Sequence, residues 1–293
     1  MLSIENEYLK ISVQKKGAEL SSIYSKKSQT EFMWNANPDI WGSYAPVLFP
    51  IIGCLKDNEF YHEGKNYTIP KHGFIRNNDA LTCLVEDSTT LSFSYKYSDD
   101  TLQFYPFYFE FIVRFQLQEN AIIVSHTIIN HHPSEIMYYS LGGHPGFKCP
   151  FFDNESYEDY YIEFEHIETE PTWKVAPNGL IESEMIPFLN ETNKIPLHST
   201  LFAKDALIFK KLKSKLVQLK SDKHSTFIQL HFNDFDYLGV WAKPNANFVC
   251  IEPWLGISDS VASTKVFKEK EGIQQLKGGE RKLISFTITL NEQ

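Results

Sequence analysis

The sequence is poor in the residues that mark disulfide-rich, zinc-bound or membrane-spanning proteins. Its four cysteines, Cys54, Cys83, Cys149 and Cys250, lie far apart in 293 residues and form no C-x-x-C pair, which argues against a zinc knuckle. The start carries no basic stretch followed by an apolar run, and no run reaches the roughly 18 apolar residues of a membrane span. We therefore expect reduced thiols and a cytoplasmic protein with no membrane partner.

Positive charge is also scarce. The chain has 28 Lys and Arg against 37 Asp and Glu, a net charge of −9. This balance argues against nucleic acid as a partner, because phosphate backbones attract basic patches. Arginine occurs three times, as Arg76, Arg114 and Arg281. In a chain that otherwise uses lysine, an arginine indicates a need for the two-pronged hydrogen bonding that lysine cannot supply.

Short alternating runs are present instead of long helical patterns. Aromatic residues make up 15% and apolar residues 42% of the chain, a bias that favours strands and allows a sizeable core. The runs lie at residues 8–13, 90–95, 107–113, 121–129, 161–164, 227–232, 238–242 and 282–290. Their punctuation by Asn, Asp, Gly and Pro predicts an all-β sandwich or barrel of many short strands, in one domain over residues 1–293. Helix signals are limited to residues 200–205 and 266–270.

Three segments interrupt this pattern with glycine, proline and polar residues. In the first, Pro46 and Pro50 exclude a central strand. His72 and Arg76 follow four positions apart, with an intervening glycine that permits unusual backbone dihedrals. The alternative explanation is a polar loop in which the histidine and the arginine satisfy nearby carbonyls.

The second segment, residues 138–147, runs from a strand into paired glycines and then into His-Pro-Gly. Pro145 biases His144 toward extended geometry, which can hold its imidazole at the rim of a sheet. The alternative is a turn with a solvent-exposed histidine.

The third segment, residues 248–260, surrounds Glu252 with apolar residues. A carboxylate in such a place must be paired or have a raised pKa, and a raised pKa is how a general base is made. Trp254 adds a flat apolar face on which a sugar ring can pack. The alternatives are a glutamate that caps a turn and a tryptophan that fills the core.

Together the segments supply a near-neutral acid, a carboxylate base, an arginine clamp and an aromatic platform. This set suits proton transfer on a neutral, polyhydroxylated small molecule. The sequence has no glycine-rich phosphate loop, no clustered metal-ligand spacing and no G-x-S-x-G elbow. We therefore expect neither a metal nor a cofactor.

The three segments, in their order along nearly the whole chain, resemble the galactose mutarotase-like, or aldose 1-epimerase, family and its LacX-like bacterial branch. The matching motifs are His-Gly-Phe-Ile-Arg at 72–76, Gly-His-Pro-Gly-Phe at 143–147 and Ile-Glu-Pro-Trp at 251–254, with Phe-Pro-Ile-Ile-Gly at 49–53. The resemblance implies a β-supersandwich with an open sugar-binding cleft. It also implies an isomerase that interconverts the α and β anomers of an aldohexose. We expect a monomer or a homodimer.

The resemblance assigns a role to each candidate residue. His144 matches the family's general acid and Glu252 its general base. His72 and Arg76 match the substrate-binding pair, and Asp205 resembles an aspartate that hydrogen-bonds sugar hydroxyls. Ring opening needs a proton donor and a proton acceptor together. Unperturbed pKa values of about 6.5 for an imidazolium and about 4.3 for a carboxylate provide both near neutral pH.

Three other functions stay open on the sequence alone. A hexose 6-phosphate epimerase would need extra basic residues beside Arg76 to bind phosphate. A carbohydrate-binding or sensing protein would keep the pocket without useful catalysis. A glycoside hydrolase would need a second carboxylate, Asp205 or Asp259, beside Glu252, and would leave His144 without a role.

Overall fold

The alternating runs of the sequence form antiparallel strands in the computed structural model, which describes residues 1–292. In chain order these strands are β1 (Leu2–Glu5), β2 (Leu9–Gln14), β3 (Glu19–Ser25), β4 (Val47–Leu48), β5 (Glu59–His62), β6 (Lys65–Thr68), β7 (Thr82–Asp87), β8 (Thr90–Lys96), β9 (Phe109–Gln118), β10 (Ala121–Asn130), β11 (Met137–Tyr139), β12 (Leu141–Gly143), β13 (Gly146–Lys148), β14 (Tyr160–Glu168), β15 (Thr172–Val175), β16 (Ile181–Ile186), β17 (Thr192–Pro196), β18 (Leu207–Phe209), β19 (Leu216–Ser221), β20 (Phe227–His231), β21 (Tyr237–Trp241), β22 (Phe248–Leu255), β23 (Gln274–Leu276) and β24 (Arg281–Asn291).

Two antiparallel sheets dominate the fold. The larger has nine strands in the order β17-β14-β19-β20-β24-β10-β9-β8-β7. The second runs β18-β21-β22-β12-β4, and β13 also pairs with β22. Smaller sheets are formed by β1-β2-β3, β5-β6, β11-β23 and β15-β16. The all-β class with many short antiparallel strands is therefore confirmed.

The burial pattern of the strands shows where the core lies. Along β9 and β10 buried and part-exposed residues alternate, because successive side chains of a strand point to opposite faces. One large apolar cluster draws on residues from Ile4 to Leu290, and each fully buried large side chain in it contributes roughly 1.5–3 kcal/mol. In β22 all eight residues are buried. A polar side chain on β22 is therefore cut off from bulk water.

Helical structure is confined to single turns. One short α-helix, α1 (Asp99–Leu102), and the 3₁₀ turns Lys16–Ala18, Lys56–Asn58, Ile75–Asn77, Tyr157–Asp159 and Phe267–Glu269 are the helical elements within residues 1–292. None of them is long and apolar enough to cross a membrane.

The two helix predictions fared differently. The prediction at 200–205 is wrong, because that stretch forms hydrogen-bonded turns. The prediction at 266–270 is reduced to one 3₁₀ turn. Sequence reasoning missed α1, which begins at a capping box: Thr101 N–H donates to Ser98 Oγ, and Ser98 N–H donates to Thr101 Oγ1.

The proline argument for the first interrupted segment is confirmed. Between Pro46 and Pro50 lies only the two-residue strand β4, and it forms an edge of the second sheet. Proline cannot donate a ladder hydrogen bond, so it is confined to such edges.

Candidate active site

A cleft of about 350 Å³ lies against the second sheet. Its walls come from β18, β21 and β22, from the β15–β16 hairpin, and from the loops that carry the interrupted segments. All six residues singled out from the sequence line it: His72, Arg76, His144, Asp205, Glu252 and Trp254. The structure thus brings together side chains that are up to 182 positions apart in the chain, from 72 to 254.

Glu252 lies on β22, opposite Gly239 of β21, and is 1% exposed. Burial raises the pKa of its carboxyl group to about 8, because water can no longer solvate the charged form. The positive charges of Lys71 and Arg76 oppose this shift, and Asp205 adds to it. Burial therefore favours the protonated, neutral form of Glu252.

The indole ring of Trp254 lies against two glycines, Gly142 of β12 and Gly239 of β21. A Cβ atom on Gly239 would lie 2.5 Å from the indole ring, and one on Gly142 would lie 2.9 Å from it. Only glycine leaves room for the ring at these two positions, so β12 and β21 are shaped to hold Trp254 in the cleft wall. Its Nε1 is buried without a hydrogen-bond partner. Trp254 thus packs in the core, which was one interpretation of the sequence, and it also lines the cleft. Contact with a sugar ring, the other interpretation, stays a prediction.

His144 follows β12 and is held among aromatic rings. Trp41 stacks on it with ring centroids 5.1 Å apart, and the rings of Trp241 and His72 approach edge-on at 6.0 and 5.8 Å. Burial, assisted by the positive charge of Arg76, lowers the pKa of His144 to about 3. The imidazole is therefore neutral near pH 7.

The two proton carriers face each other. His144 Nε2 lies 3.2 Å from Glu252 Oε2, and Oε2 has no other polar partner among the protein atoms. Burial disfavours the charged form of each group, so it favours a neutral carboxyl group beside a neutral imidazole. The pKa values of solvated groups, which predict an imidazolium beside a carboxylate, do not include this effect.

His72 is locked into its loop by Gly53. The Gly53 N–H donates to His72 Nδ1 over 3.1 Å, and the His72 N–H donates to the Gly53 carbonyl over 2.8 Å. Burial lowers the pKa of His72 well below its usual value, so the ring is neutral. Because Nδ1 accepts, Nε2 carries the proton and can donate into the cleft. The backbone is unusual at this point, with φ +65° at His72 and +78° at Gly73.

Charged residues complete the rim. Arg76 lies in the turn Ile75–Asn77. Burial lowers the pKa of its guanidinium, and the nearby Glu19 opposes this shift. Asp205 has φ +104°, and its Oδ1 accepts a hydrogen bond from the Ala206 N–H at 2.7 Å. The cleft thus offers donors and acceptors but no dominant single charge.

Sequence reasoning missed four polar or aromatic residues of the cleft, Trp41, Lys71, Trp241 and Ser258. Lys71 directly precedes His72, so its position next to a predicted site residue was a usable signal. Nothing in the sequence around Trp41 and Trp241 marked them as cleft residues, apart from the fact that tryptophan is rare and large. An apolar wall of Val175, Ile181 and Ile208 was also missed, because nothing local marks the β15–β16 hairpin as a neighbour of β22.

Asp259, weighed as a second carboxylate, is not in the cleft wall. It is 4% exposed, and its Oδ1 pairs with Lys270 Nζ at 2.8 Å. Its Oδ2 accepts from the Lys56 N–H and the Ser263 hydroxyl, each at 3.0 Å. Asp259 therefore anchors the loop behind the cleft.

One group of side chains within residues 1–292 is compact enough to share a metal ion. His144, Cys250 and Glu252 each offer an atom within 4.8 Å of the others. Burial raises the pKa of the Cys250 thiol well above its usual value, so without an ion it is an uncharged, weak ligand. The same geometry serves proton exchange between His144 and Glu252 directly.

The fold has clear counterparts among known structures. A galactose mutarotase related enzyme from Lactobacillus acidophilus superposes with a TM-score of 0.92 at 33% identity, over 99% of this chain and 97% of that chain. A galactose mutarotase-like protein from Lactobacillus casei also gives a TM-score of 0.92, at 26% identity over 99% of this chain and 100% of that chain. The fold is therefore galactose mutarotase-like, as the sequence resemblance implied.

Sequence comparison defines the family. The family model for aldose 1-epimerase matches residues 1–269. The chain is also 31% identical to the chromosomal Protein LacX of Lactococcus lactis subsp. lactis, over 99% of each chain. The chain belongs to the aldose 1-epimerase family, and its similarity to LacX agrees with the predicted branch.

Proposed function

We propose that the chain is an aldose 1-epimerase that interconverts the α and β anomers of a free aldohexose. The observation that carries the proposal is the buried pair of Glu252 and His144, 3.2 Å apart in a cleft rich in hydrogen-bonding groups. Family membership supports a carbohydrate epimerase with a small sugar as substrate. No step of the reaction requires a metal or cofactor.

The reaction removes one proton from the sugar and adds another to it. Glu252, as the base, removes the proton of the anomeric hydroxyl, and His144, as the acid, donates a proton to the ring oxygen. The ring opens to the aldehyde, the C1–C2 bond rotates, and the reverse transfers close the ring on the other face. Each positioned acid or base contributes roughly 10²- to 10⁴-fold in rate.

These roles require the shared proton to lie on His144 when the ring opens. Burial favours its location on Glu252, because it penalises the carboxylate. Sugar hydroxyls that donate hydrogen bonds to Glu252 would stabilise its charged form and lower its pKa. The proton can then pass over the 3.2 Å contact to His144 Nε2. This transfer leaves Glu252 ionised, as the base, and His144 protonated, as the acid.

The remaining cleft residues suit sugar binding. His72 presents its Nε2–H as a donor, Arg76 presents its guanidinium, and Asp205 offers a carboxylate to hydroxyl groups. Trp254 offers a flat face to the apolar side of the ring. In this proposal these four residues hold the sugar so that its anomeric carbon faces Glu252 and His144.

Polarimetry on freshly dissolved α-anomers tests the proposal. We expect the optical rotation of at least one aldose to reach equilibrium faster with the protein than without it. Glu252→Gln should lower this rate at least about 100-fold while sugar binding persists. Binding can be followed by tryptophan fluorescence, since three tryptophans line the cleft. Absence of acceleration for every common aldose and aldose phosphate would reject the proposal.

Hexose 6-phosphates are the second candidate substrates. Lys71 lines the cleft together with Arg76, which supplies the additional cation that phosphate binding needs. Comparison of glucose with glucose 6-phosphate in the same assay separates the two. A kcat/KM at least tenfold higher for the phosphate would favour this substrate, and Lys71→Ala should then remove most of the difference.

A binding or sensing role is the outcome in which a sugar changes the fluorescence but its mutarotation is not accelerated. The intact acid–base pair argues against this role. Glycoside hydrolysis is disfavoured because Asp259 is engaged with Lys270 behind the cleft, which leaves Asp205 as the remaining candidate partner for Glu252.

A further inference from the structure

Cys250 is a buried thiol that the proposed acid–base chemistry does not use. It lies on β22 two residues before Glu252, so strand alternation points both side chains to the same face of the sheet. Its cross-strand partner on β21 is Trp241, which lines the cleft. Directly opposite residues of an antiparallel pair share a face. The thiol therefore points toward the cleft side of the second sheet.

The ring of Trp41 lies near this thiol. Gly146 of β13 pairs with Cys250 on its other side. A Cβ atom on Gly146 would lie 2.7 Å from the Trp41 ring and 3.4 Å from Cys250 Sγ. The same Trp41 ring stacks on His144. Cys250 and His144 are thus neighbours of one indole ring.

Three potential metal ligands converge at this point. One ligand atom each of His144, Cys250 and Glu252 lies within 4.8 Å of the others, and His144 Nε2 is 3.2 Å from Glu252 Oε2. In a tetrahedral zinc site with bond lengths of about 2.0–2.3 Å, neighbouring ligand atoms are about 3.3–3.8 Å apart. The nitrogen and the oxygen already have nearly this separation. The distances to the sulfur need to close by no more than about 1.3 Å.

The carboxyl oxygen at this point lacks a partner, although it is buried. Glu252 is 1% exposed, and its Oε2 accepts no hydrogen bond from the described part of the chain, residues 1–292. Buried polar atoms normally have a partner. Both His144 and Glu252 line the cleft, so an ion can reach them from the cleft. Three protein ligands with a fourth position open to water are the arrangement of an open zinc site.

We propose that His144, Cys250 and Glu252 bind a thiophilic divalent cation such as Zn²⁺, and that the bound ion inhibits turnover. A donor set of nitrogen, oxygen and sulfur suits Zn²⁺, whereas Mg²⁺ and Ca²⁺ prefer oxygen ligands. On binding, the Cys250 thiol gives its proton to water, and so does Glu252 when it is protonated, because ligands must be deprotonated.

Inhibition follows from the atoms that the ion occupies. It takes the lone pair of His144 Nε2 and the carboxylate oxygen of Glu252, and the proposed reaction uses both groups for proton transfer. The inhibitory effect therefore rests on the proposed function. Binding of the ion does not rest on it, since it requires only the three ligands.

Cobalt titration of the untagged, full-length protein tests the site without any need for turnover. Co²⁺ can replace Zn²⁺ and gives a charge-transfer band in the near ultraviolet when a thiolate binds it. Cys250→Ser removes the thiolate and nearly keeps the size of the side chain. Cys54→Ser is the matched control, because Cys54 Sγ is close to the cleft: a Cβ atom on Gly179, which lines the cleft, would lie 2.8 Å from it.

We expect the thiolate band in the wild type and in Cys54→Ser, with one Co²⁺ per chain, and no band in Cys250→Ser. Glu252→Gln should keep the thiolate but weaken Co²⁺ binding at least about tenfold. A wild type without the band overturns the proposal even if no variant folds. A band that persists in Cys250→Ser overturns it as well.

Zinc titration in the mutarotation assay tests the inhibition. We expect Zn²⁺ to slow mutarotation and EDTA to restore the rate, whereas Mg²⁺ at the same concentration has no effect. Without metal, Cys250→Ser should keep kcat within about threefold, and it should need at least about tenfold more Zn²⁺ for half inhibition. Turnover that saturating Zn²⁺ leaves unchanged overturns the inhibitory role. If no sugar is turned over, the proposed function fails, while the cobalt spectrum still decides the metal site.

Discussion

Replacing Glu252 with glutamine should stabilise the protein at neutral and alkaline pH. The folded carboxyl has its pKa raised from 4.5 to about 8 by burial, whereas in the unfolded chain it titrates near the ordinary value. Between these pH values the folded protein binds a proton that the unfolded chain has released. Stability therefore falls as the pH rises from 4.5 to 8, and it falls no further above pH 8.

The magnitude follows from about 1.4 kcal/mol per pH unit. The full penalty above pH 8 is then about 5 kcal/mol, and at pH 7 it is about 3 kcal/mol, for a group that is 1% exposed. Glutamine has nearly the same shape as the protonated acid and does not titrate. The variant should match the wild type near pH 4.5 and exceed its free energy of unfolding increasingly up to pH 8.

Denaturant unfolding of the wild type and Glu252→Gln at pH 5, 7 and 8.5 measures the effect. Glu168→Gln is the matched control, because that buried carboxylate accepts hydrogen bonds from the Ser214 N–H and hydroxyl at 2.7 Å and from the Lys213 N–H at 3.3 Å. The control should lose stability. A difference between Glu252→Gln and wild type that does not grow with pH would refute the assigned burial penalty.

Three further predictions concern catalysis and the loop behind the cleft. Because burial raises the pKa of Glu252 to about 8 and lowers that of His144 to about 3, kcat/KM should stay level up to about pH 8 and fall above it; a fall centred at pH 6.5 would contradict this. Trp41→Ala removes the ring stacked on His144 and should lower kcat roughly tenfold, with Trp41→Phe close to wild type; an unchanged kcat in Trp41→Ala would count against the stack. Lys270→Met leaves Asp259 buried without its partner and should cost about 3–5 kcal/mol in denaturant unfolding; a loss below 1 kcal/mol would show that the pair is unimportant.

The strands were predictable because their signal is local. The run at residues 121–129 alternates, and the strand observed there, Ala121–Asn130, buries every second residue. Five of the six candidate residues were also accessible, because glycine, proline and isolated polar residues broke that alternation at 72–76, 143–147 and 251–254, whereas Asp205 came only from the family resemblance. Both signals depend only on neighbours in the chain.

Trp41 could not be found in this way, because its place is set by contacts distant in sequence. Glu19 accepts hydrogen bonds from the Tyr44 and Ala45 N–H groups at 2.7 and 3.0 Å, and the Gly146 N–H donates to the Tyr44 carbonyl at 2.8 Å. These hydrogen bonds hold the loop that contains Trp41 against the segment that contains His144. No property of residues 41–45 alone indicates this contact.

The protonation state of the site was not predictable for a related reason. Unperturbed pKa values place the proton on the histidine, whereas burial of both groups favours its location on Glu252. Burial is a property of the assembled sheets, and it decides which partner is the acid at rest.

Exchange spectroscopy of the two anomers at equilibrium tests the central claim most directly. At neutral pH the ¹H NMR cross-peaks between the α and β anomeric protons of the substrate should appear with wild-type protein. With Glu252→Gln they should fall to the level of sugar alone, while Trp fluorescence still reports sugar binding. Undiminished exchange in Glu252→Gln would contradict the assignment of Glu252 and His144 as the proton carriers.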